Sequence, residues 1–112
     1  MSENILITGV SDQDKQHISQ ITDKFLFPGL TEGKIVHYVL PDGRSKGEIR
    51  PAIVVRVWRD VSPDLIAKGY SNLQVFTDGT NDYEDGTRVL WATSKVYSEN
   101  YELGTWHWPP KV

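Results

Sequence analysis

The chain has 112 residues, a formal net charge of −3 and an isoelectric point near 5.5, which suits one domain with one core and argues against a mainly electrostatic grip on duplex nucleic acid. It contains no cysteine, which excludes disulfides, thiol catalysis and thiolate metal sites. Hydrophobic residues at 38% and charged residues at 24% are a globular balance, and no apolar run approaches the roughly 18 residues that a membrane-spanning helix needs.

The start, Met1-Ser2-Glu3-Asn4, lacks the basic stretch of a secretory signal, so an unexported, cytoplasmic protein is expected. Ile5-Leu6-Ile7 is short and apolar, suited to a small edge strand. Ser11-Asp12-Gln13-Asp14 then supplies a capping hydroxyl and first-turn acids that favour the positive end of a helix dipole. Ile18, Ile21 and Phe25 recur at helical spacing until Phe27-Pro28-Gly29, which predicts an amphipathic helix with Asp14, Lys15, Gln16, Gln20 and Lys24 on its solvated face. Residues 1–32 thus form an N-terminal strand and helix extension to a domain spanning 33–112.

From Gly33 the hydrophobic period changes to two. Lys34 to Leu40 predicts a strand with Ile35, His37 and Val39 on one face and Val36, Tyr38 and Leu40 on the other. Pro41-Asp42-Gly43 is a turn, Arg44 to Arg50 a loop or ragged strand edge, and Pro51 the expected opening residue of the next strand. Ala52 to Trp58 is the most β-prone run and nearly apolar on both faces, as a central strand requires. The connection that follows holds Ser62-Pro63-Asp64 and Gly69, with room for one helical turn at Asp64–Ala67. Asn72 to Thr77 alternates with Leu73, Val75 and Thr77 on one side, and Arg88 to Ala92 is a further strand.

Between those two runs lies an acidic, glycine-punctuated loop, Asp78 to Gly86. Asp78, Asn81, Asp82 and Asp85 invite a calcium reading, but the ligand spacing and terminal bidentate Glu of an EF-hand are missing, so a solvated hairpin loop is expected. Thr93 to Glu102 reads as a loop carrying Val96, Tyr97 and Tyr101. The chain then reaches Gly104-Thr105-Trp106-His107-Trp108-Pro109, where alternation places both indoles on one face and the imidazole on the other. Four to five short strands behind one helix predict a mainly β fold, a small barrel of SH3-like or OB-like size.

Gly33-Lys34-Ile35-Val36-His37-Tyr38-Val39, Arg50-Pro51-Ala52-Ile53-Val54-Val55, Asn72-Leu73-Gln74-Val75-Phe76 and Gly104-Thr105-Trp106-His107-Trp108-Pro109 follow one another in a distinctive order. In that order they resemble the landmarks of small uncharacterised proteins of tailed bacteriophages and prophages, with an early VHYV strand and a late GTWHWP ending. The resemblance runs from Gly33 to Pro109 and leaves out the predicted helix. The final Pro110-Lys111-Val112 also departs from the acidic residue associated with that ending. What the resemblance implies is a viral origin, and with it a host cytoplasmic location; it carries no catalytic residue set.

No nucleophile with its base, carboxylate pair or phosphate-cradling glycine loop stands out, so an enzyme is not expected and no cofactor is implied. His37 and His107 would meet if the first and last strands pair, with Asp42 or Glu48 as acidic neighbours, but two histidines without a third ligand favour a structural role over a metal site. Aromatic rings and cations are better matched to a planar, phosphorylated ligand. The candidate ligand-binding residues are His37, Tyr38, Arg50, Trp91, Trp106 and His107, with no metal site. Two functions follow as expectations. The first is a phage-encoded binding protein, acting as a homo-oligomer without membrane or duplex nucleic acid, that sequesters a host nucleotide-type immune signal. The second is a virion or assembly component of a head, neck or tail, with the Trp-His-Trp ending as an interface anchor.

Overall fold

The computed structural model describes residues 26–111; the strand expected at Ile5–Ile7 and the helix expected from Ser11 lie outside them. The described chain forms β1 (Ile35–Val39), β2 (Ile49–Val57), a short helix α1 (Pro63–Ala67), β3 (Ser71–Phe76), β4 (Val89–Lys95) and β5 (Trp106–His107). All strand pairs are antiparallel, and the five-stranded sheet runs β4-β3-β2-β1-β5. A mainly β fold of five short strands is therefore what this sequence builds.

The alternation of β1 decides which side of the sheet is the core. Val36, Tyr38 and the following Leu40 are buried while Ile35 is exposed, as a period of two demands. Val39 is buried as well, where its backbone bonds Gly104 and Thr105. β2 is longer than expected. It starts at Ile49, so Pro51 stands inside it opposite His37 rather than opening it. Its pairing with β3 begins one residue later, at Ala52 and Val75, so a residue with no N–H to give costs that ladder nothing. A register shift between Val54 and Arg56 leaves both Val55 and Arg56 exposed and returns Val57 to the core, the effect of one extra residue in a ladder.

Ser62 caps α1, its hydroxyl accepting from the Leu65 N–H at 3.4 Å, and Pro63 occupies the first turn, where a missing N–H costs nothing. Glu32 accepts from Arg59 at 2.8 and 3.0 Å and from the Val57 N–H at 2.8 Å. The Arg59 guanidinium, together with that N–H, holds the Glu32 carboxyl at about 2.

The terminal segment closes the core. Trp106 is fully buried and donates its indole N–H to the Gly69 carbonyl at 2.9 Å. Phe27, Tyr97 and Trp108 lie edge-on to it with ring centroids 5.3, 5.2 and 5.1 Å away, each such pair worth about 0.5–1.5 kcal/mol beyond its buried area. Gly69 is obligatory here. It holds φ +75°, and a Cβ would come within 2.7 Å of the Trp106 ring. The segment read as a loop from Thr93 is strand as far as Lys95, and just beyond it the Trp106 N–H donates to Val96 and the Ser98 N–H to Trp106, at 3.1 and 2.9 Å. An isolated parallel bridge joins Tyr97 to Trp106, so the chain leaving one edge of the sheet returns to the other.

Candidate functional site

The six residues singled out from sequence separate into four places. Tyr38 and Trp91 line one cleft, His37 and His107 form a pair across β1 and β5, and Arg50 and Trp106 each have a structural partner.

The cleft has a volume of about 240 Å³ and lies between Tyr38, Pro41 and Asp42, at the end of β1, and Leu90 to Thr93 with Lys95 on β4. Those strands are not neighbours in the sheet, so its curvature brings their ends together. Two polar groups converge beside Gly104, where an added methyl would lie 3.8 Å from the Tyr38 hydroxyl and 3.9 Å from Lys95 Nζ. Burial raises the pKa of the Tyr38 phenol, with the Asp42 charge adding to it, so this hydroxyl is a neutral donor at pH 7. Asp42 accepts from the Tyr83 hydroxyl at 2.9 Å. Burial, then that bond, pushes Tyr83 up to about 12. Trp91 is half exposed. The cleft thus offers an aromatic surface, an ammonium, a carboxylate and two hydroxyls, a set suited to holding a polar planar molecule.

Asp42 stands with Tyr83 and Glu48 with Arg50; in the sequence both were candidates for the histidine pair. Thr93 and Lys95 belong to the cleft but were hidden in a polar run with no motif. Only recognition that β4 continues past Ala92 would have brought them into view.

His37 and His107 face each other in register, their rings edge to face with centroids 5.7 Å apart. His107 is 2% exposed, and neither ring nitrogen has a hydrogen-bond partner among the described residues. Tyr101 covers it, stacked at 3.7 Å and 10°, from a backbone with φ +57° that a bulky side chain adopts only under constraint. Ser98 and Thr105 supply that constraint through bonds to Glu102 on either side of Tyr101. Burial first, and the neighbouring His37 second, lower the pKa of His107, so it is a neutral imidazole at pH 7. Among the described residues no group of three or more His, Cys, Asp or Glu side chains is placed to hold a metal ion.

Arg50 grips Asp82 with two bonds, Nε to Oδ2 at 2.7 Å and Nη2 to Oδ1 at 2.6 Å, while Nη2 also reaches Glu48 and Nη1 the Ile49 carbonyl. Asp82 is fully buried and accepts the Asp78 N–H at 2.7 Å, so this member of the acidic loop is a lock and not a solvated residue. The guanidinium holds the Asp82 carboxyl far below the usual carboxylate range, and the carboxylate raises Arg50 in turn. All three guanidinium nitrogens are engaged within the protein.

No family model, curated protein or solved structure matches this chain.

Proposed function

We propose that this is a viral, non-enzymatic binding protein whose cleft between β1 and β4 takes a small nucleotide-type ligand. The observation that carries the reading is the convergence of Trp91, Tyr38, Lys95 and Asp42 on one cleft. A base or other flat ring stacks on the indole, phosphate oxygens meet the ammonium, and a sugar hydroxyl or ring amine donates to the carboxylate. The ordered landmarks between Gly33 and Pro109, which resemble those of phage proteins, support a viral origin. A phage protein with such a cleft would act by removing a host signalling nucleotide from solution, without altering it. The return of the chain to β5 through the Tyr97–Trp106 bridge supports a small-barrel reading of the sheet, with the cleft at its mouth.

Calorimetry against cyclic and ADP-ribose-type nucleotides tests this. One member should bind with a Kd in the micromolar range or better, and Trp91→Ala and Lys95→Ala should each weaken binding at least tenfold while the melting temperature holds. If no member binds better than millimolar, the reading fails.

A second reading, a head, neck or tail assembly component, is favoured by the apolar outer side of the sheet, where Ile35, Phe76 and Trp91 are exposed. Mass spectrometry of purified particles distinguishes it: presence in the virion supports assembly, and absence supports the ligand reading.

A further inference from the structure

The outer side of the sheet is organised in two cross-strand rows. Ile35 pairs with Ile53, Ile53 with Gln74, and Gln74 with Trp91. In the next row His37 pairs with Pro51 and Phe76 with Val89, and one step beyond the Ala52–Val75 pair brings Phe76 beside Pro51. Ile35, Phe76, Val89 and Trp91 are each between 43% and 52% exposed. Neither row contains an Asp, Glu, Lys or Arg. Half of four such side chains, with Val55 at the margin, is on the order of 400 Å² of bare apolar surface, the size of the largest patch on a typical domain, which is often a functional one.

The geometry points to a second copy of this chain as the occupant, packed face to face on these rows. A partner for an uncharged, extended sheet face must itself be flat and apolar, and this chain carries such a surface. The area fits as well. With Ile53, Pro51, Gln74 and the surrounding rim it approaches the roughly 800 Å² that each partner contributes to an ordinary interface.

Charge sets the orientation. Lys34 and Arg56 flank the Ile35 end of the rows; Arg56 lies 4.0 Å over the Trp58 ring and makes a long contact of 3.9 Å with Asp60. Asp78, Glu84 and Asp85 lie in the loop beyond the Phe76–Val89 pair, where Arg88 also stands, while Arg50 is already committed to Asp82 and Arg44 meets that residue through its backbone N–H. A two-fold axis in the sheet plane, running across the strands, lays the basic end of each copy over the acidic end of the other. The same dimer sets a second chain beside Trp91, which also lines the cleft, although the inference stands on the rows and not on the ligand reading.

Sedimentation velocity of the full chain tests the inference, with a dimer expected at tens of micromolar. Phe76→Glu and Val89→Glu each place two carboxylates in the symmetric interface, and each should weaken association at least about a hundredfold. Both sites are exposed, so far-UV circular dichroism and melting should stay as in the parent. Because the chain has no cysteine, a Gln74→Cys variant offers an independent readout. A bismaleimide, which spans the offset between the two copies that a direct disulfide could not, should join it to its counterpart much faster than it joins Lys46→Cys, placed in the exposed β1–β2 turn. A monomeric parent, a dimer that survives both glutamates, or equal crosslinking of the two cysteine variants overturns the inference. A monomer would mean that another part of this chain, or a different protein, covers the face.

Discussion

Asp82, in the loop between β3 and β4, and His107, on the terminal strand, are both buried polar side chains, and they are buried on opposite terms. Asp82 has its charge met by two guanidinium bonds and a backbone N–H. His107 is sealed in by Tyr101 with both nitrogens unanswered among the described residues. The first arrangement ties two distant parts of the chain together at a single geometry. The second costs about 1–3 kcal/mol for each group left unpaired and makes the terminal strand sensitive to protons. Burial alone therefore does not say whether a polar group supports a fold or strains it; its partners do.

The sharpest way to break that contrast is Asp82→Ala. It strands a partly buried guanidinium and should cost about 3–5 kcal/mol, read as a fall in the urea midpoint. Replacing both partners, Asp82→Ala with Arg50→Met, should cost clearly less than the single change, because no charge is left unpaired. A double variant as unstable as the single one would show that the loop, and not the charge pair, carries the energy.

The pH dependence separates the two sites. The folded Asp82 pKa lies below its unfolded value, so the stability it contributes is complete above pH ~4 and is lost as pH falls through the folded value. His107 is also depressed in the folded state. The unfolded chain takes up its proton near pH ~6.5 and the folded chain only below that, so stability falls as pH drops from about 7 towards 5. Thermal melts should show two separate declines, and His107→Phe should abolish the upper one.

At neutral pH the same His107→Phe change keeps a ring beneath Tyr101, removes both orphaned nitrogens and should raise stability by about 1 kcal/mol. A loss instead would show that the imidazole has a partner in solution. The smallest effect belongs to Tyr101→Gly. Relief of a positive φ, about 1 kcal/mol, nearly offsets a lost ring stack of similar size. The net change should stay within about 0.5 kcal/mol while the His107 pKa, followed by NMR, moves up towards its ordinary value.

How much of this could be read from the chain depended on distance along it. Strand positions were legible because alternation is local: Val36, Tyr38 and Leu40 are buried where the pattern put them. The approach of His37 to His107 was legible too, since pairing the first and last strands was enough to place it. The burial of Asp82 was not, because Arg50 stands 32 residues away and a short acidic loop reads as solvated by default. Pro51 misplaced the start of β2 because it lies within the strand at a point where no ladder needs its N–H. The cleft was the least visible feature. Its walls come from strands that do not pair, and Lys95 lies in a stretch that carried neither motif nor clear period.

The bridge between Tyr97 and Trp106 has a consequence for how the chain is made. β1 finds one of its two partners in β5, and Phe27 finds its aromatic neighbours in Tyr97, Trp106 and Trp108. Pairings of such sequence separation close late and slowly. A nascent chain emerging from the ribosome can form the β1–β2 and β2–β3 hairpins early, yet it holds an unfilled core until Trp106 is free of the exit tunnel. Hairpin formation and closure of the core are thereby separate events in time, the second waiting on the arrival of β5.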